Sequence, residues 1–345
     1  MYIDVLAFIV ALLSSLILTL PVKALALRVG MVDLPGPRKV HHTPIPLLGG
    51  LAIYAGVILA FLFVMSPAAR AQSVGILAGA TLVGLVGVLD DRGLLHHQVK
   101  LFLGMPVAAL ILLASGIHSG ILSLLIGGRI GSILDVVLTV IWVVGITAAF
   151  SILDHMDGLC AGVAAMASLF FAVFAGLHGQ PLVATLAAAV LGASVGFLRW
   201  NFKPAKIFMG DGGAMFLGFL MATLGLKLRL ADATSVAEWL VPLLILIVPV
   251  FDTTLVTISR SRRGLVPFTT PGKDHAAHRL VNLGLGQRGG VLALYALGAL
   301  GGSTALAVSH FSVRGALLAA GACAAVVFLG VMLLERAPYQ RQQKP

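Results

Sequence analysis

Gly87-Val-Leu-Asp-Asp-Arg92 closes an apolar run and opens a polar stretch that reaches Lys100. Two adjacent carboxylates, Asp90 and Asp91, therefore fall where a hydrophobic helix leaves a bilayer. Neighbouring like charges there are costly unless cations or hydrogen bonds offset them. A divalent metal, or the metal-bound phosphates of a substrate, would supply that offset, whereas an ordinary solvated loop would need neither. Asp154-His-Met-Asp-Gly158 sets two acids three residues apart, neighbours on one face if they sit on a helix end. Met209-Gly-Asp-Gly-Gly213 places Asp211 among glycines. Backbone can then come close to a phosphate or metal, just before a helix N-terminus that favours anions. Cations accompany these acids. Arg38, Lys39, His41 and His42 lie in a loop, 33–50, whose four prolines prevent a continuous helix. In Asp274-His-Ala-Ala-His-Arg279 the two histidines, His275 and His278, would share a face if helical, and Arg279 is a strong phosphate donor. Metal ligation, phosphate binding and a structural role all stay open for the histidines, and no soft-ligand set supports zinc.

The elements that must carry these residues are set by composition. Of 345 residues, 59% are hydrophobic and 10% charged, with a mean hydropathy of +1.05. Such a chain is an integral membrane protein rather than a soluble domain with a large core. Apolar runs of about bilayer length recur at 3–27, 47–65, 73–89, 101–116, 133–150, 159–177, 181–198, 213–228, 239–258, 289–309 and 313–334. The expected fold is an all-α polytopic membrane protein of eleven transmembrane helices, forming a single integral-membrane domain over 1–345. The Gly-rich segment 118–132 is too short and polar to span and is expected to form a turn or small hairpin. The first run, with no basic residues before it, is expected to be a span rather than a cleaved leader. Cys160 and Cys323 both lie in apolar stretches and suggest neither disulfides nor a zinc site.

Net charge +10 could suggest nucleic acid. With eleven spans, however, 18 of the Lys/Arg fall on one face and five (Arg70, Arg129, Lys227, Arg229 and Arg314) on the other. The positive-inside rule then puts the C-terminus in the cytoplasm and the N-terminus outside. The basic balance becomes a topology signal, and no nucleic acid is expected as a partner. Nine carboxylates (Asp33, Asp90, Asp91, Asp154, Asp157, Asp211, Asp252, Asp274 and Glu335) share that cytoplasmic side. Acids and bases gathered around glycine-containing helix ends suit a metal with a polyphosphate at the membrane surface. A transporter would instead place ionisable groups mid-span, where Asp135 is a poor candidate.

Five blocks in order resemble the polyprenyl-phosphate N-acetylhexosamine-1-phosphate transferases, relatives of the phospho-N-acetylmuramoyl-pentapeptide translocase. The blocks are Asp33-Leu-Pro through Arg38-Lys39 to Pro44-Ile-Pro46 and Gly49-Gly50; Gly87 to Asp91 with Lys100; Asp154 to Leu159; Trp200-Asn-Phe-Lys-Pro-Ala-Lys-Ile-Phe-Met-Gly-Asp211; and Asp274 to Leu280. The resemblance implies transfer of a sugar-1-phosphate from a UDP-sugar to polyprenyl (undecaprenyl) phosphate at the cytoplasmic face of a bacterial plasma membrane. UMP is released, and the diphosphate-linked lipid starts a cell-envelope glycan. It implies Mg²⁺ (or Mn²⁺) as cofactor, with Asp211 as the main ligand beside Asp91. Asp90 and Asp91 would organise the metal and lipid phosphate, and Asp154 and Asp157 match the nucleotide-side acids. His275, His278 and Arg279 would neutralise diphosphate charge, and Lys100 and Asn201 match family positions as well. Arg38, Lys39 and Ser151 complete the expected substrate contacts. Direct displacement and an aspartyl-phosphate route both stay open, and dimerisation through the Gly/Ala-rich helices is left undecided.

The chain departs from the family pattern at several places. An Asn-x-x-Asn pair is replaced by Ala148 and Ser151, and His155, Ala214 and Ala277 also differ from the usual residues. Each lost carboxamide removes a hydrogen-bonding group, about 1 kcal/mol or more. Every acid is kept, which favours an active enzyme with an altered donor pocket over a non-catalytic relative that binds nucleotide-sugar or lipid phosphate. A CDP-alcohol phosphotransferase would show Asp-Gly-x-x-Ala-Arg, but Asp157-Gly158 is followed by Leu-Cys-Ala-Gly.

Overall fold

The computed structural model describes residues 2–35, 43–64, 69–95, 97–230, 235–267 and 272–339. Arg38, Lys39, His41 and His42 lie outside them. The chain forms two compact units, Met1–Arg229 and Leu230–Pro345, and almost all regular structure is helical, as the apolar runs require.

In the first unit α1 (Tyr2–Arg28) is followed by a two-residue hairpin, β1 (Val32–Asp33) antiparallel to β2 (Ile45–Pro46). Then come α2 (Gly50–Val64), α3 (Arg70–Asp91), α4 (His97–Val99), α5 (Met105–Ala114), α6 (Ile121–Ile126), α7 (Gly128–Leu153), α8 (Leu159–Leu177), α9 (Pro181–Asn201) and α10 (Gly210–Lys227). The buried stripe of α1 (Ala7, Ala11, Ser15, Thr19, Val22, Ala26) is small-sided. It lets α9 approach so closely that a Cβ at Gly192 would lie 2.2 Å from the Phe8 carbonyl oxygen. Small residues at a helix contact are how membrane helices gain packing without a hydrophobic drive.

The hub is α10. Its residues from Gly212 to Leu224 are all buried, and α3, α7, α2, α8 and α9 surround it. A helix apolar on every face belongs in a core. Its N-terminal approach is tied to the hairpin: Phe208 N–H donates to the Pro46 carbonyl at 2.8 Å, and Gly49 N–H returns to the Phe208 carbonyl at 2.8 Å. Residues 159 and 162 positions apart thus form one entry to α10.

Between α4 and α5 runs a π turn, Lys100–Gly104. Pro106 has no N–H for the Phe102 carbonyl, and Met105 N–H reaches back to the Lys100 carbonyl instead. The segment expected to be a turn or hairpin is in fact the short helix α6 and the first turn of α7. Asp135 organises it, accepting from Ser119 Oγ at 2.6 Å, Leu122 N at 3.0 Å, Ser123 N at 2.8 Å and also Ser123 Oγ. A buried acid that looked idle in the sequence is the cap of this helix.

The second unit holds α11 (Ser235–Ile245), α12 (Ile247–Arg262), α13 (Ala276–Leu280), α14 (Gly286–Val308) and α15 (Val313–Glu335). The run 239–258, read as one span, is two helices bent by 78°. Pro249 cannot donate to the Ile245 carbonyl, so the helical ladder is interrupted at the bend. A second π turn, Val281–Leu285, joins α13 to α14. Among the described residues, seven helices are long and apolar enough to cross a membrane, or eight if the bent pair counts as one. The runs at 47–65, 101–116 and 213–228 are helical but shorter or less apolar.

Candidate active site

In the first unit the ends of α3, α7 and α10 bring the expected acids together. Asp91 closes α3 and accepts two main-chain donors of the first turn of α10: Asp211 N–H at 2.9 Å on Oδ1 and Gly212 N–H at 3.1 Å on Oδ2. These are helix-terminal N–H groups without intrahelical partners, and the carboxylate meets the positive end of the helix dipole. Gly210 makes the contact possible. It has φ +76°, and a Cβ there would lie 2.5 Å from Asp91 Oδ2. Asp91 is thus a cap supplied by another helix, with one further lone pair on each oxygen.

Lys100, on the π turn, reaches Asp90 Oδ2 at 2.7 Å and Asp211 Oδ2 at 2.5 Å. Ser151 Oγ donates to the other Asp211 oxygen at 2.6 Å. Ser151 therefore touches the central acid, where the sequence comparison placed it among substrate contacts. Asp154 is the residue just beyond the end of α7. Burial pushes its carboxyl up to about 8, the negative charges of Asp211, Asp91 and Asp157 add to that, and the Gly210 N–H opposes it.

Asp157 and Asp154 do not share a helix face. Asp157 lies in the turn before α8 and accepts from Ala205 N–H at 3.1 Å, with Lys203 Nζ 3.3 Å away. Asn201 is buried, and both ends of its carboxamide are used. Oδ1 accepts Gly158 N–H at 3.0 Å, and Nδ2 donates to the Ile207 carbonyl at 3.0 Å. It fastens the Asp157–Gly158 turn to the segment leading into α10, a positioning role that no local sequence pattern announces.

The oxygen donors gathered here are the kind a hard divalent cation takes. Asp91, Asp154 and Asp211 interact through their charges, and Lys100 is the cation paired to Asp90 and Asp211. The high Asp154 pKa reports its burial first and the neighbouring carboxylates second.

In the second unit His275 precedes α13 rather than sharing its face with His278, and the ring centroids are 6.4 Å apart. His275 Nδ1 lies 2.8 Å from Asp252 Oδ2, and Ala276 N–H donates to Asp252 Oδ1 at 2.7 Å. Asp252 therefore sets both the ring and the start of α13. Asp274 is held well below the usual carboxylate range. Burial pushes it up, but the guanidinium groups of Arg260 and Arg263 outweigh that push. Arg260 takes both Asp274 oxygens, at 3.1 and 2.7 Å, and Arg263 Nη2 adds a contact at 2.5 Å. Arg279 is fully buried and donates to the Asp274 carbonyl, the Leu334 carbonyl, Glu335 and Ser259 Oγ. Asp252, Arg260 and Arg263 were not among the residues expected at a site. Their signal was charge at the end of an apolar run, where burial demands partners.

Fold and sites together define a polytopic membrane protein with carboxylates and cations collected at helix ends. Comparison with known proteins narrows the class. The sequence pattern of glycosyl transferase family 4 matches residues 73–229. A probable undecaprenyl-phosphate N-acetylglucosaminyl 1-phosphate transferase of Bacillus subtilis is 39% identical over 85% of this chain and 82% of its own. A decaprenyl-phosphate N-acetylglucosaminephosphotransferase of Mycobacterium tuberculosis is 35% identical over 80% of this chain and 75% of its own. An undecaprenyl-phosphate alpha-N-acetylglucosaminyl 1-phosphate transferase of Yersinia pestis is 27% identical over 77% and 73%. The chain belongs to this family, the polyprenyl-phosphate N-acetylhexosamine-1-phosphate transferases of glycosyl transferase family 4.

Proposed function

We propose that the protein transfers a sugar-1-phosphate, of the N-acetylhexosamine type, from a UDP-sugar to polyprenyl phosphate at the cytoplasmic membrane face. The observation that carries this is the Asp90–Lys100–Asp211 network at the helix ends, with Asp154 and Ser151 beside it. An oxygen of the lipid phosphate attacks the sugar-side phosphorus of the donor. The bond to the UMP oxygen breaks, and UMP leaves with that electron pair. A phosphate monoester is already largely ionised near neutral pH, so attack needs no strong base. Lys100 is placed to accept phosphate charge while Asp90 and Asp211 orient its ammonium group. Asp91 holds the first turn of α10, and thereby Asp211, in register. Direct displacement and an aspartyl-phosphate route both fit this arrangement, since each Asp91 oxygen keeps a lone pair beyond its main-chain N–H.

Mg²⁺, or Mn²⁺, would be held by Asp211 with Asp91, as the resemblance implies, through the lone pairs their present partners leave, with Asp154 beside them. When bound it would neutralise diphosphate charge as that charge moves to the leaving UMP. The family resemblance assigns His275, His278 and Arg279 to the donor's diphosphate. Eleven spans with the C-terminus in the cytoplasm are supported by eleven helical apolar runs, the bent pair taken as one, and by the one-sided distribution of Lys and Arg.

The test is UMP release by the purified protein in detergent, given undecaprenyl phosphate, Mg²⁺ and a panel of UDP-sugars. Release that needs lipid and metal, and is lost in Asp211→Asn, is expected. Folded protein that releases no UMP from any donor would sink the proposal.

A further inference from the structure

The end of α15 carries a feature outside this chemistry. After Glu335 the chain turns and is pinned. Asn282 Nδ2 donates to the Pro338 carbonyl at 2.8 Å, and the Tyr339 ring lies over the guanidinium groups of Arg279, at 4.2 Å, and Arg263, at 5.1 Å. The pinned turn walls a cavity of about 540 Å³, within the roughly 300–1,000 Å³ typical of small-molecule sites. Arg262, the last residue of α12, and Arg336, just past α15, both line it, with Met332, Glu335 and Tyr339. Glu335 is already paired to Arg279 at 2.8 Å. Among the described residues neither the Arg262 nor the Arg336 guanidinium has a hydrogen-bonding or acidic partner. Both are exposed and solvated, and two guanidinium groups lining one cavity can receive an anion, their fork geometry favouring a phosphate.

Its source is indicated by what adjoins the cavity. α15 is exposed over most of its surface, with Leu318, Val326, Phe328, Leu329 and Leu333 among its apolar residues, and its Met332 stands on the cavity wall. We propose that this cavity binds the phosphodiester headgroup of an anionic membrane lipid, its acyl chains lying along α15. Basic pockets at the ends of membrane helices recognise such headgroups by this combination of cations and adjoining apolar surface.

Native mass spectrometry of the full chain, with equal amounts of dioleoyl phosphatidylglycerol and phosphatidylcholine, tests the idea. Phosphatidylglycerol adducts should exceed phosphatidylcholine adducts on the order of tenfold. Arg262→Gln/Arg336→Gln should abolish the preference, while Arg262→Lys/Arg336→Lys should keep part of it. The melting temperature in phosphatidylcholine controls for folding. Should the double variant melt early, Arg262→Gln and Arg336→Gln are compared singly, and each should reduce the preference. No preference in the unaltered protein, or an undiminished one in a folded Gln variant, overturns the proposal. Displacement of phosphatidylglycerol by inorganic phosphate at millimolar concentration would assign the cavity to a soluble anion and overturn the lipid.

Discussion

Asp91 Oδ1 accepts the main-chain N–H of Asp211 at 2.9 Å, so one acid of the site fixes where another stands. The two should fail differently when neutralised. Asp91→Asn turns an amide donor toward the N–H groups of Asp211 or Gly212, leaving a buried donor unsatisfied at about 1–3 kcal/mol. Its melting temperature should fall along with its rate. Asp211→Asn keeps the main-chain caps of α10 but gives up the ion pair to Lys100, so it should lose UMP release with a smaller fall in melting temperature than Asp91→Asn. Melting curves and UMP release on both variants check this. Equal melting of Asp91→Asn and the unaltered protein would remove the capping role.

Asp154 sets a pH dependence. Its carboxyl is raised to about 8, against about 3.9 for a free Asp. Between those values the folded protein holds a proton that the unfolded chain has released, so stability in metal-free buffer should fall as pH rises from about 4 to about 8. Divalent-cation binding must displace the same proton, so affinity should climb with pH and level off above about 8. Mn²⁺ titration calorimetry across that range, in buffers of different ionisation enthalpy, reads both the affinity and the proton released. Asp154→Asn should flatten both profiles.

Which parts of this were legible in the sequence follows from the range of the interactions. Apolar runs announce helices because the signal is local, and the acid-bearing loops announced themselves because charge beside a bilayer needs a reason. Hydropathy averages over a window, so it passed through Leu246 and Pro249 without registering the missing hydrogen bond that bends the run into α11 and α12. Capping by Asp91 and Asp135 and the bridge made by Asn201 join segments 12 to 121 residues apart, and no pattern within a window contains both ends. Asp252 and Arg260 could have been nominated on one ground, that charges closing an apolar run are buried in pairs.

Asn201 gives a test of position against binding. Asn201→Asp keeps shape and the acceptor for Gly158 N–H but turns an oxygen on the Ile207 carbonyl. The cost should be about 1–3 kcal/mol, read as a lower melting temperature. Because the carboxamide is buried and both its ends bind main chain, the donor KM of the protein that remains folded should stay within about twofold. A KM rise of an order of magnitude without thermal loss would make Asn201 a substrate ligand after all.

Arg279 is a harder case, since the resemblance makes it a diphosphate contact while the structure buries it completely. Its donors go to the Asp274 and Leu334 carbonyls, Glu335 and Ser259, and its flat face lies against Tyr339. Lysine offers three donors at a point and no plane, so Arg279→Lys cannot reproduce the fork or the stacking. The charge beside Glu335 is kept, but some of the four hydrogen bonds and the Tyr339 stacking are lost, each buried group left unpaired costing about 1–3 kcal/mol. Arg279→Lys should therefore melt markedly lower, and adding a saturating UDP-sugar should not restore it. His278 is partly exposed next to it, so His278→Ala should leave melting nearly unchanged and raise the donor KM. Unaltered melting of Arg279→Lys together with a raised donor KM would return Arg279 to the substrate.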